Sequence, residues 1–174
     1  MQLFKYNRGF AFAVLAVVIV LSVLLGVNRS LSSLAGKVED AYTGTEVQSD
    51  LTKYVTHARS FASATAALYG ENTALTEAIA ALDGSATSPF DALDRISNIE
   101  SAAAAVYYKL QLDADADESV KRSATAYFYE MQSTVQRLGN NAEYAKRASA
   151  YNDAINTLPA SLLAPGRRPA VTFS

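Results

Sequence analysis

One stretch of the chain, residues 10–27, is apolar without interruption. It reads FAFAVLAVVIVLSVLLGV and contains no charged residue and no proline. At about 1.5 Å of rise per residue, a helix of this length spans roughly 27 Å, close to the roughly 30 Å thickness of the hydrocarbon core of a bilayer. A surface helix of a water-soluble domain keeps one face polar, and this stretch has no polar face. The pattern therefore predicts a transmembrane helix from Phe10 to Val27 that attaches the chain to a lipid bilayer.

The flanking residues leave a cleaved signal peptide as an alternative. A short basic segment, residues 1–9, precedes the apolar stretch, and Ser33-Leu34-Ala35 has small residues at the −3 and −1 positions of a cleavage after Ala35. The apolar stretch is longer than the usual core of about 7 to 15 residues, and the cleavage position lies well past its end. These features favour an uncleaved signal-anchor over cleavage and over a buried core helix.

The charges on either side of the apolar stretch predict its orientation. Lys5, Arg8 and the terminal amine precede it, whereas Arg29 and Lys37 follow it. Because basic residues concentrate on the cytoplasmic side, this slight excess predicts a cytoplasmic N-terminus. We expect a single-pass protein of the cell (inner or plasma) membrane whose helical domain lies outside the cytoplasm.

Beyond the membrane, hydrophobic positions recur every three or four residues, which is the spacing of one helix face. The first helix is predicted to continue to Tyr42, and Thr43-Gly44-Thr45 ends it. Three more helices are predicted: Thr45–Leu82 with a kink or break at Gly70–Thr73, Pro89–Leu112, and Ser119–Leu158 with a bend at Gly139–Asn141. Residues 83–88 are predicted to form a loop. The predicted inward positions are Leu31, Leu34, Val38, Ala41, Val47, Leu51, Tyr54, Val55, Ala58, Phe61, Ala62, Leu68, Leu75, Ile79, Leu82, Leu93, Ile96, Ile99, Ala103, Val106, Leu110, Val120, Ala124, Tyr127, Met131, Val135, Leu138, Ala142, Ala145, Ala148, Ile155 and Leu158.

The fold class predicted from this pattern is all-α. We expect an up-and-down antiparallel helical bundle of about four long helices, the first of them continuous with the transmembrane helix. Helix breakers are scarce, with 8 glycines and 4 prolines among 174 residues. The bundle domain is predicted to cover residues 28–164, and an irregular tail, residues 165–174, closes on Val171 and Phe173.

Composition excludes several kinds of chemistry. The chain has no cysteine, which rules out disulfides, thiol nucleophiles and cysteine-ligated metals, and its net charge of −2 gives no basic stripe for nucleic acid. Its one histidine, His57, is accompanied by neither a G-x-S-x-G nor an H-E-x-x-H motif, and we expect it on the solvated surface of the second helix. We therefore expect a protein that is not an enzyme and uses no cofactor.

An acidic run gives a weak hint of cation binding. Asp113, Asp115 and Asp117 alternate as do the first ligands of a calcium loop, but Glu118 replaces the required glycine and Ala124 the closing glutamate. The simpler interpretation is an acidic cluster at a helix N-terminus, where the macrodipole favours negative charge. These three residues are weak metal candidates only.

Tyrosine is concentrated in the later helices. Neighbouring rings such as Tyr107-Tyr108 and Tyr127-Phe128-Tyr129 cannot all face the core, because adjacent residues on a helix point in different directions. Exposed tyrosines suit a protein partner, since aromatic residues dominate interface energetics. Tyr108 and Tyr129 are the candidates for facing a partner, and a rim of half-buried tyrosines is the alternative.

The end of the chain resembles the LemA family. The residues that carry the resemblance are Tyr151-Asn152-Asp153-Ala154-Ile155 and Pro159, with Leu162-Leu163-Ala164 and the final Phe173 after them. The basic head, single membrane helix and helical bundle follow the same order as in that family, and Asp50-Leu51 and the segment from Glu130 to Leu138 are loosely similar to its patterns. Leu158 departs from the aromatic residue usual before the proline, and Asn28-Arg29 stands where a Tyr-Asn pair is usual.

What the resemblance implies is a membrane-anchored four-helix bundle without an established molecular activity. In it, Tyr151, Asn152 and Pro159 have structural roles: we expect Asn152 to satisfy orphan carbonyls of the helix end or a neighbouring backbone, and Tyr151 to pack against the first helix. The expected function is that of a scaffold or accessory protein that binds another envelope protein. The alternative is an anchored or secreted ligand- or cation-binding module that uses residues 113–117.

Overall fold

The computed structural model describes residues 8–83, 88–90 and 92–172, and every regular element in them is an α-helix. In chain order the helices are α1 (Arg8–Gly44), α2 (Val47–Tyr69), α3 (Thr73–Asp83), α4 (Ala92–Leu112), α5 (Glu118–Gly139), α6 (Ala142–Asn156) and α7 (Ala160–Leu163). The all-α prediction is confirmed, although the described part of the chain has more and shorter helices than predicted. Lys5, residues 84–87, the side chain of Leu93, and Phe173 lie outside the described residues.

Helix α1 is one continuous helix with two different environments along its 37 residues. None of the residues from Phe12 to Ser30 is buried, and an 18-residue apolar window in this helix has a mean hydropathy of 2.3. The second half enters the body through the buried side chains of Leu31, Val38, Ala41 and Tyr42. The predicted continuation of the apolar helix into the bundle is confirmed, and the alternative of a buried core helix does not hold.

Helix α6 packs antiparallel along the second half of α1. Near the start of α6, the ring of Tyr144 lies 6.1 Å from that of Tyr42. Further along α6, and nearer the apolar half of α1, Arg147 donates a hydrogen bond of 3.2 Å to the carbonyl of Lys37. This pairing places the end of α6 beside the apolar half of α1.

Helix α5 packs antiparallel along α2 in the same way. The Phe128 and Phe61 ring centroids are 5.8 Å apart, and Arg137 Nε lies 3.9 Å from the carboxylate of Asp50. Helix α1 packs mainly on α6, and α2 packs mainly on α5. The segment α1–α2 and the segment α5–α6 therefore run antiparallel beside each other, and we call these two segments the arms. The end of the arms formed by α2 and α5 is the end remote from the apolar half of α1.

The predicted break at Gly70 is confirmed, and it reverses the chain. Gly70 has a φ of 75°, a conformation that glycine adopts without steric cost, and Asn72 Oδ1 then accepts a hydrogen bond of 3.0 Å from the Leu75 amide. Helix α3 runs back along α2, because Asp83 at its end forms an ion pair with Arg59 in the middle of α2. Helices α2 and α3 are therefore a helical hairpin rather than one kinked helix.

The break at Asn140–Asn141 separates α5 from α6, and the predicted inward positions of α6 are only partly correct. Asn141 caps α6 by accepting a hydrogen bond of 3.1 Å from the Tyr144 amide, so α6 restarts with its own phase. The structure buries Tyr144, Ala148 and Tyr151. The predicted inward positions Ala142 and Leu158 are wrong, since both side chains are exposed.

Two buried tyrosines differ in what their hydroxyls do. The Tyr144 hydroxyl donates a hydrogen bond of 2.8 Å to the Val171 carbonyl. The Tyr54 hydroxyl is buried without a hydrogen-bond partner in the described part of the chain. An unpaired buried hydroxyl costs desolvation free energy that no bond returns.

We predict opposite effects for the same substitution at these two positions. Tyr144→Phe leaves the Val171 carbonyl unpaired and should lower the free energy of unfolding by about 1 to 2 kcal/mol. Tyr54→Phe removes an unpaired hydroxyl and should raise it by about 1 kcal/mol. Chemical denaturation of the full chain in detergent, followed by helical circular dichroism, measures both. A loss of stability in Tyr54→Phe equal to that in Tyr144→Phe would contradict this account.

Candidate functional site

Four aromatic side chains of α4 and α5 form one surface cluster, the aromatic patch: Tyr107, Tyr108, Phe128 and Tyr129. Tyr107 and Phe128 stack with ring centroids 4.2 Å apart and an interplanar angle of 4°. Tyr108 and Tyr129 meet the Tyr107 ring edge-on, at 5.9 Å and 6.4 Å. Offset and edge-on contacts of this kind stabilise a fixed arrangement of the rings.

The aromatic patch is fixed to the core on one side and open on the other. Phe128 contacts the fully buried Phe61 of α2, and Tyr107 and Phe128 are half-buried. By contrast, 65% of Tyr108 and 61% of Tyr129 is exposed. The exposure expected of Tyr108 and Tyr129 is thus observed, while their role toward a partner stays a prediction.

The phenol groups of the aromatic patch also interact with one another. Hydrogen bonding to Tyr129, followed by partial burial, raises the pKa of the Tyr107 hydroxyl above its ordinary value. The Tyr107 phenol therefore stays neutral and protonated at physiological pH. The patch offers flat apolar faces and hydroxyl groups, a combination suited to binding another molecule rather than to acid–base catalysis.

The sequence indicated part of this surface and missed the rest. Adjacent aromatic residues showed that some rings must face outward. Nothing in the periodicity shows that Tyr107-Tyr108 and Phe128-Tyr129 meet, because that depends on how α4 and α5 are paired in the fold.

The carboxylates of the acidic run take part in separate local hydrogen bonds. Asp113 accepts a hydrogen bond of 2.8 Å from the Tyr69 hydroxyl and one of 3.1 Å from the Asp115 amide. Asp117 caps α5 by accepting hydrogen bonds from the amides of Ser119, at 2.8 Å, and Val120, at 3.2 Å. These carboxylates serve separate local purposes, and the capping interpretation is confirmed for Asp117.

The electrostatics of the acidic run agree with this geometry. The hydrogen bond from Tyr69 lowers the pKa of Asp113, and that from the Ser119 side chain lowers the pKa of Asp117. Within the described ranges, no group of three histidine, cysteine or acidic residues could hold a metal ion. Asp113, Asp115 and Asp117 are thus not assembled as the cation site considered from the sequence. His57 is half-buried on α2 rather than fully solvated and joins no such group.

The two backbone units of the tail at Ala170 and Val171 are held by four hydrogen bonds, which together form the tail clasp. The Asn152 side chain donates to the Ala170 carbonyl at 3.0 Å and accepts from the Ala170 amide at 2.7 Å. The Val171 amide donates to the Pro89 carbonyl at 2.8 Å, and its carbonyl accepts from Tyr144. Because Ala170 and Val171 are buried, the irregular tail is part of the core rather than an appendage.

The residues that carried the LemA resemblance have mixed outcomes. The expectation that Asn152 satisfies a neighbouring backbone is confirmed by the tail clasp. The buried ring of Tyr151 lies 5.2 Å from that of Phe90, edge-on. The expected packing of Tyr151 against α1 stays a prediction, and the ring contact between α6 and α1 is that of Tyr144 with Tyr42. Pro159 follows the end of α6 and directly precedes α7.

Two further segments of the resemblance meet in the structure. Asp50 of α2 is buried and accepts a hydrogen bond of 2.8 Å from Lys53 in addition to its ion pair with Arg137. Arg137 also donates a hydrogen bond of 2.8 Å to the buried Thr134 hydroxyl. This polar cluster connects α2 to α5 and has a structural role.

Comparisons with protein-family models, with curated proteins and with solved structures found no match to this chain. The LemA resemblance therefore stays a prediction that depends on the residues quoted for it.

We predict that Asn152→Ala releases the tail. The substitution leaves both backbone groups of Ala170 unpaired in a buried place, and should lower the free energy of unfolding by about 2 kcal/mol. Chemical denaturation measures this loss, and faster hydrogen exchange at the Ala170 amide should accompany it. The matched control is Asn156→Ala one turn later. Its side chain is exposed and donates a hydrogen bond to the Asn152 carbonyl, and its loss should cost less than about 0.5 kcal/mol. Equal effects of the two substitutions would contradict the role of the tail clasp.

Proposed function

We propose that this protein is a single-pass, membrane-anchored helical accessory protein of the cell envelope, without enzymatic activity, that binds another protein through the aromatic patch. The observation that carries the proposal is the fixed cluster of rings with Tyr108 and Tyr129 largely exposed. The cluster lies on the α2–α5 end of the arms, away from the apolar half of α1.

The anchor is supported by what surrounds α1. Most large apolar side chains of its first half are exposed, among them Phe12 at 69%, Leu15 at 54% and Leu25 at 70%. A contiguous apolar surface of this extent is unfavourable in water and favourable in hydrocarbon. We assign α1 from Phe10 to Val27 to the bilayer.

Contacts of α1 with the body favour an uncleaved anchor. Cleavage after Ala35 would remove Leu31, which is buried in the body. It would also remove Asn28 and Ser32, to which Arg167 donates hydrogen bonds of 2.5 Å and 3.5 Å. The folded body thus uses residues that a signal peptidase would discard.

The aromatic patch has the properties of a binding surface. Tyrosine is enriched among the residues that dominate protein–protein affinity. Because stacking on Phe128 holds the rings in place before a partner arrives, binding costs little side-chain entropy. We further propose, on Tyr151, Asn152 and Pro159, that the chain is a divergent LemA-like protein.

The orientation of the body is tested with single cysteines, because the chain has none of its own. Leu112→Cys places a thiol at a position that is 86% exposed at the end of α4. We expect a membrane-impermeant maleimide to label it in intact cells, since the basic N-terminal side is proposed to be cytoplasmic. The control Gln2→Cys should be labelled only after permeabilisation. The reverse result would place the body in the cytoplasm and overturn the envelope location.

The partner surface is tested by site-specific photo-crosslinking in intact cells. A benzophenone amino acid in place of Tyr108 or Tyr129 should give the same covalent adduct from both positions. The matched control is the same probe at Ala142, an exposed position at the start of α6, which should not give that adduct. In addition, Tyr129→Ala should reduce the adduct formed from position 108, because it removes a neighbouring ring of the surface. Absence of an adduct at both tyrosine positions, or an identical adduct from Ala142, would contradict the proposal.

A further inference from the structure

The region around α7 lies beside the end of the apolar half of α1. Residues from Leu163 to Arg167 border a groove whose other wall is Leu24, Leu25 and Asn28. Arg167 donates hydrogen bonds to Asn28 and Ser32, which fixes this segment at the level of the last turn of the apolar stretch. The C-terminal residues therefore return to the height at which α1 leaves the bilayer.

Two leucines at this height face away from the protein. Leu158 and Leu162 are 72% and 73% exposed, whereas Ala160 between them is buried. Single exposed leucines are ordinary on protein surfaces and do not by themselves indicate a binding site. Here Leu162 is part of α7 and Leu158 lies just before it. The last residue of α7, Leu163, borders the groove together with Leu24 and Leu25, so α7 adjoins the apolar half of α1.

We propose that the α7 elbow, residues 158–168, lies in the surface layer of the bilayer, with Leu158 and Leu162 at the edge of the hydrocarbon. This inference rests on the proposed anchoring of α1. A lipid surface is the favoured occupant, because α7 adjoins Leu24 and Leu25 through Leu163, and that part of α1 is already assigned to lipid. The exposed Arg29 directly follows Asn28 and adds positive charge at this level, where phosphate headgroups lie.

The consequence is a second point of contact between body and membrane. A single helix leaves the body free to rotate about the helix axis relative to the bilayer. A second contact on one side of α1 fixes that rotation and the tilt, and so fixes the direction in which the aromatic patch faces. The elbow then sets the orientation of the body relative to the bilayer, while α1 alone anchors it.

The chain contains no tryptophan, so a single introduced tryptophan reports on its own surroundings. The probes are Leu162→Trp and Leu158→Trp in the full chain, reconstituted in vesicles of phosphatidylcholine and phosphatidylglycerol. Lipids brominated near the headgroup end of the acyl chain quench tryptophan at the hydrocarbon edge, and lipids brominated deeper quench it in the interior. Leu15→Trp in the apolar half of α1 controls for insertion, and Leu112→Trp at the remote end of α4 controls for exposure to water.

We expect Leu162→Trp and Leu158→Trp to lose fluorescence with the shallow brominated lipid and to emit at shorter wavelength than Leu112→Trp. Leu15→Trp should be quenched by the deep brominated lipid. If Leu15→Trp is quenched and both elbow probes behave like Leu112→Trp, the elbow inference is overturned while the anchor stands. If Leu15→Trp is not quenched, the anchor itself fails and the elbow inference with it. All four side chains replaced are exposed, so the substitutions leave the packed core unchanged.

Discussion

The unbroken backbone of α1 from Arg8 to Gly44 is the constraint on which the rest of the structure depends. A helix transmits rotation along its length, because any swivel between its halves would break hydrogen bonds between successive turns. The face that carries Leu31, Val38 and Tyr42 is therefore fixed relative to the apolar half. Helix α6 and the other helices that pack on that face are therefore held in a fixed orientation relative to the apolar half of α1, and so relative to the bilayer to which that half is assigned.

The tail clasp holds the C-terminal tail against α6 and against the segment that precedes α4. The tail joins the side chain of Asn152 on α6, the hydroxyl of Tyr144 and the carbonyl of Pro89 before α4, while Arg167 bonds to α1. These partners are far apart in sequence, so the clasp forms only after the helices have paired. Because its bonds use main-chain groups of Ala170 and Val171, it depends on buried geometry more than on the identity of the tail residues.

Sequence periodicity predicted the parts of the fold that one helix face determines. On α2, the predicted inward residues from Val47 to Phe61 are buried, and the breaks at Gly70 and Asn140 occur where breakers stand. Periodicity could not show that α3 turns back along α2, since a break sets no direction for the next helix. On α6 it was right for Ala148, which is buried, and wrong for Ala142 and Leu158, which are exposed. A new cap restarts the helical phase, and a pattern of small alanines does not reveal this. The stacking of Tyr107 on Phe128 depends on how α4 and α5 pair, so periodicity could not predict it either.

The same side chain serves different purposes in this protein, and the contrast supports a binding role for the patch. Tyr42, Tyr54 and Tyr144 are fully buried and fill the core, and burial raises the pKa of Tyr42 to about 12. Packing accounts for those rings. It does not account for Tyr108 and Tyr129, which leave most of their surface in water on helices where alanine, lysine or glutamate would have higher helix propensity. The two exposed rings, which lie on the stacked pair of Tyr107 and Phe128, add little to the stability of the isolated chain. They would bury more apolar surface if a partner covered them.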